Sequence, residues 1–70
     1  MRFELKGFTE EEYFRLRELV INNATFLGST VSSITDINSI SCSANNQQVI
    51  VDFIILMTKR YPHVRIIAVY

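Results

Sequence analysis

The chain has one cysteine, one histidine and two glycines among 70 residues, and each scarcity closes off a class of chemistry. A lone Cys42 cannot form a disulfide within the chain. Cys42 and His63 are also the only soft metal ligands, whereas a structural zinc site takes about four. Gly7 and Gly28 lie in no nucleotide-binding pattern, so no phosphate-cradling loop is visible. No cofactor and no metal are expected. The formal net charge is +0, so the chain as a whole is neither a nucleic-acid polycation nor a basic membrane-surface peptide. Its start, MRFELKGF, shows no apolar core or small-residue cleavage site of a signal peptide. An unpaired cysteine also suits a reducing compartment, and a cytoplasmic location is the expectation. Without a secretory signal, the glycosylation pattern Asn23-Ala24-Thr25 carries no weight.

What is present is enough for one domain spanning residues 1–70. Apolar residues make up 49% of the chain, normal for a globular protein and too many for a disordered one. A core of this size supplies only ~3–5 kcal/mol unaided. With neither a disulfide nor a metal to add to it, self-association is the expected support, and a homodimer the expected state.

Residues 1–6 alternate, with Met1, Phe3 and Leu5 on one face and Arg2, Glu4 and Lys6 on the other, as in a half-buried strand. The next segment, FTEEEY, carries a helix start. Thr9 and Glu12 have the spacing of a capping box, and Phe8 and Tyr13 that of a hydrophobic staple. The helix is predicted to run to about Ile21. Its apolar stripe is Tyr13, Leu16, Leu19 and Val20, widened by Phe14 and Ile21, with Glu11, Arg15, Glu18 and Asn22 on the solvated side. Residues 24–44 are rich in serine, threonine and asparagine. Their β-branched content predicts two short strands, 29–35 and 39–43, joined by a turn at Asp36-Ile37-Asn38.

The run VIVDFIILM, residues 49–57, is the most apolar in the chain. It is far short of the ~20 residues a bilayer requires. As a helix over 45–61 it places Asn45, Gln48, Asp52 and Lys59 on one wet stripe, with Ser43 or Asn45 as cap. Lys59-Arg60-Tyr61 before Pro62 has the look of a basic last turn followed by a stop. A strand remains the alternative because of the β-branched residues. Residues 63–70 form a closing strand, whose IIAV run suits an interior position in a sheet.

The order β-α-β-β-α-β with two crossovers gives an α+β, ferredoxin-like arrangement, in which two helices cover one face of a four-stranded antiparallel sheet. The first and last strands are expected side by side and near the centre. The arrangement hosts many unrelated functions and implies none.

No catalytic set is evident, and an enzyme is not expected. Cys42 lacks a nearby cation and suits a small buried hydrophobe. His63 reads as a solvated turn residue, and the three glutamates at 10–12 serve a helix N-terminus. From Leu19 to Val51, Asp36 is the only charge. A neutral hairpin at a sheet edge is open to strand addition. The expected function is therefore a small non-enzymatic protein-interaction module: an inhibitor, an immunity-type protein or a regulatory subunit, of the kind carried by phages and mobile elements. Its interface would draw on Val31, Ile34, Ile40, Ile50, Ile54 and Met57. The alternative is a nucleic-acid-binding module using a basic patch of Arg2, Lys6, His63 and Arg65 on the open sheet face, although that face would lack stacking aromatics.

Overall fold

The computed structural model describes residues 1–69. Arg2–Lys6 form β1, in which Phe3 and Leu5 are buried and Arg2, Glu4 and Lys6 take the opposite face. Gly7 ends the strand with φ +83. A Cβ there would lie 2.8 Å from the His63 carbonyl oxygen, so the position requires glycine twice over.

The capping box forms as its spacing predicts. The Thr9 hydroxyl accepts the Glu12 N–H at 3.3 Å, and the Glu12 carboxylate accepts the Thr9 N–H at 2.9 Å. Phe8 and Tyr13 stack with ring centroids 6.5 Å apart, as a staple should. The first turn, Glu10–Glu12, is 3-10, and α1 proper spans Tyr13–Asn23. Leu16 and Val20 form its buried seam. Phe14 and Ile21 do not widen that seam: they face solvent, Phe14 with 71% of its surface exposed.

After a single connecting residue the chain enters β2, Thr25–Thr30. The expected strand at 29–35 is therefore displaced toward the N-terminus. Residues 31–38 are instead a loop containing a 3-10 turn at Thr35–Ile37. Then come β3, Ser39–Ser43, with Ile40 and Cys42 buried between serines, and α2, Gln47–Arg60. The cap of α2 is Asn46, whose side chain accepts the Val49 N–H at 3.2 Å, rather than Ser43 or Asn45. The basic last turn, Lys59-Arg60, stands where the sequence placed it. The last strand, β4, is Arg65–Val69; the expected strand's final residue, Tyr70, lies outside the described residues.

The sheet order is β2-β3-β1-β4, with every neighbouring pair antiparallel, and the whole is the ferredoxin-like β-α-β-β-α-β arrangement. β1 is central and β4 lies beside it, but β4 is an edge and not an interior strand. Phe3, Leu5, Ile40 and Cys42 from the sheet join Leu16, Val20, Phe53 and Met57 from the helices in one core. The Phe3 and Phe53 rings sit 5.4 Å apart at its centre. No helix among the described residues is long and apolar enough to cross a membrane.

Candidate functional site

The open face of the sheet follows from the register. β1 contributes Arg2, Glu4 and Lys6, which pair with Val69, Ile67 and Arg65 of β4 and with Ser43, Ser41 and Ser39 of β3. Arg2, Lys6 and Arg65 therefore share this face. Glu4 divides Arg2 from Lys6, and the Ser41 hydroxyl donates to its carboxylate at 3.4 Å. The face carries no aromatic side chain among the described residues, so bases would find no stacking platform.

His63 is not part of this patch. Its Nε2 lies 2.7 Å from Glu12 Oε1, which ties the α2–β4 turn to the cap of α1. Partial burial pushes the Glu12 carboxyl up. The hydrogen bonds from the Thr9 N–H, the His63 ring and the Thr9 hydroxyl, with the charge of His63, outweigh that and hold it below its ordinary value of 4.5. Because the folded-state value is depressed, the stability this carboxylate lends is fully present above pH 4.5. It is lost as pH falls through the lowered value. Glu12→Gln should accordingly melt below the parent near neutrality, and the gap should close in acid. Paired melting curves at descending pH check this, and a gap constant with pH would refute it.

Cys42 is fully buried on the inner face of β3. Its thiol points at the Phe3 carbonyl at 3.4 Å, and burial, helped by the Glu4 charge, pushes its pKa up to about 12. A thiol held protonated in this way is a packing group rather than a nucleophile. His63, engaged with Glu12, does not reach it.

Of the expected interface residues, Ile40 and Met57 are core, as alternation in β3 and the spacing of Met57 from Phe53 dictate, and neither is open to a partner. The remaining four divide between two places. Val31 and Ile34 stand exposed on the β2–β3 loop, where Ile37, missed by the sequence reading, joins them. Ile50 and Ile54 lie on α2, where Ile50 packs partly against the core and Ile54 is largely exposed. Asp52 is exposed as predicted and accepts the Gln48 side-chain amide at 2.9 Å. It also borders a cleft of about 110 Å³ between the helices, with Asn23, Val49, Phe53 and Leu56.

The residue that organises the loop is Asn38, which is completely buried. Its Oδ1 accepts the Ser32 N–H at 2.6 Å, and its Nδ2 donates to the Phe8 carbonyl at 3.1 Å. Its own N–H closes the 3-10 turn on Thr35 at 3.2 Å. One side chain thus fixes the loop to the start of the first helix. In a segment full of serine and asparagine, nothing local distinguishes it.

No protein-family model matches this chain, and neither a curated protein nor a solved structure does.

Proposed function

We propose that this chain is a small non-enzymatic interaction module that acts in the cytoplasm by seating the β2–β3 loop on an apolar surface of a partner protein. An inhibitory, immunity-type or regulatory role fits that mode of action. The observation that carries the reading is the display of Val31, Ile34 and Ile37 on a loop held in place by the buried Asn38. Ile34 keeps 57% of its surface exposed and Ile37 52%. The exposed half of each side chain gains nothing within the chain. Covering it returns roughly half of the ~1.5–3 kcal/mol of full burial, about 1 kcal/mol each. Pre-ordering of the loop also spares a partner the entropy of fixing it.

The test is affinity capture from the native host, with the parent and an Ile34→Lys, Ile37→Lys variant as paired baits. A partner retained by the parent should fall to background with the variant, while the variant's unfolding curve stays close to the parent's. Equal retention by both would overturn the loop assignment. Arg2, Lys6 and Arg65 on one face keep nucleic acid as the second reading. Binding of RNA or DNA at low salt that disappears on changing these three residues to glutamine would favour it over the loop.

A further inference from the structure

The sheet has two edges, and they are built differently. β2 is interrupted: its register on β3 shifts between Phe26 and Gly28, leaving a bulge at Leu27. Bulges of this kind twist an edge away from further pairing. β4 is regular, with all five residues from Arg65 to Val69 in unbroken register against β1. Arg65 is its only charge, and neither proline nor lysine interrupts it. Its outer row of backbone N–H and C=O groups is a template for another strand.

Apolar surface flanks that template on both faces of the sheet. On the open face Ile67 is 40% exposed. On the helix face Ala68 is exposed, and α2 stops short of covering the strand. A groove of about 240 Å³ runs there between Ile54, Met57 and Thr58 of α2 and Pro62, Val64 and Ile66. Ile54, bordering it, has 47% of its surface exposed.

We propose that this edge is a self-association surface, on which two copies of the chain pair β4 with β4 antiparallel about a twofold axis at Ile67. The two four-stranded sheets then join into one continuous sheet with all the helices on the same face. The occupant is argued from the strand itself. Side-chain alternation allows only registers that keep each face on its own side. Of these, the one centred on Ile67 retains every rung: Ile67 meets Ile67, Ile66 meets Ala68, and Arg65 meets Val69. It also separates the two arginines, whereas centring on Arg65 would set them face to face, which is destabilising. The strand matches its own copy in apolar pattern, and in this register its one charge faces no like charge. The same rotation brings the two α2–β4 grooves together across the axis, so that Ile54 and Ala68 lose water in the same event. This contact is independent of the β2–β3 loop, and its failure would leave the loop reading untouched.

Cross-linking tests both the edge and the register. An Ile67→Cys variant places two thiols directly opposite, with Cβ atoms ~4.5–5.5 Å apart. With oxidised glutathione accepting the two electrons and two protons, it should convert to a covalent dimer. Val69→Cys places its thiols about 14 Å apart along the paired strands and should remain monomeric on a non-reducing gel. The buried Cys42 is a background common to both. Light scattering on the parent chain should give twice 8.1 kDa, and Ile67→Lys, which sets two ammonium groups face to face, should return it to 8.1 kDa. A parent that stays monomeric at every concentration would overturn the proposal. So would a dimer that persists in Ile67→Lys, or cross-linking of Val69→Cys as efficient as that of Ile67→Cys.

Discussion

Replacing Phe3 with alanine should leave most of the chain unfolded at room temperature. Phe3 is fully buried on the central strand, with Cys42 beside it on β3, Ala68 on β4 and the Phe53 ring 5.4 Å above. Truncating a buried phenylalanine costs ~3–5 kcal/mol, in lost transfer energy and in the cavity left behind. The core of a chain of 70 residues supplies only ~3–5 kcal/mol unaided. The loss is therefore comparable with the whole reserve. Phe14→Ala makes the contrasting case, because its ring is 71% exposed; it should change stability by less than about 0.5 kcal/mol. Urea unfolding followed by circular dichroism separates the two. Similar losses for both would mean that the Phe3–Phe53 contact does not anchor the core.

Asn38→Ala should cost about 2–4 kcal/mol, nearly as much, although no apolar contact is its main loss. The substitution strands the buried Phe8 carbonyl and the part-buried Ser32 N–H, both of which Asn38 now partners. A buried group left without its hydrogen bond costs ~1–3 kcal/mol. Asn38→Asp should be worse near neutrality, because it keeps the acceptor for Ser32, loses the donor to Phe8 and buries a charge. Hydrogen exchange offers a second readout: in either variant the amides of residues 31–37 should lose protection ahead of global unfolding. The partner proposed for the loop should then bind more weakly, even though Val31, Ile34 and Ile37 are unchanged. Normal loop protection in Asn38→Ala would contradict the clamp.

Asn38 also illustrates how far the sequence could be read. Signals that act over a few residues were legible: the Thr9–Glu12 box, the Phe8–Tyr13 staple, the alternation of β1 and the basic end of α2. Together with the element order, they were enough for the fold. What stayed hidden depends on partners distant in sequence. The carbonyl that Asn38 satisfies belongs to Phe8, and the carboxylate that engages His63 belongs to Glu12. Placement of β2 failed for a different reason, since the bulge at Leu27 breaks the period that identifies a strand. β4 misled through composition. An unbroken apolar run is what an interior strand requires, yet the same run at an edge leaves Ile67 and Ala68 in water. Of the candidate interface, Ile40 and Met57 were lost because apolarity alone does not distinguish a core position from a displayed one.

The sheet order carries one more consequence, for the sequence of events in folding. β1 occupies the centre of the sheet, and both of its hydrogen-bonding flanks await strands made much later, Ser39–Ser43 and Arg65–Val69. Neither α1 nor β2 has the floor of its core complete until those strands arrive. Closing loops of that length before any contact rewards them makes for slow nucleation. On the ribosome, the first strand to emerge stays half apolar and without a partner until β3 has been synthesised, and its second flank stays open until β4 follows. The period of greatest risk for this chain, from aggregation or from a protease, is therefore its own synthesis.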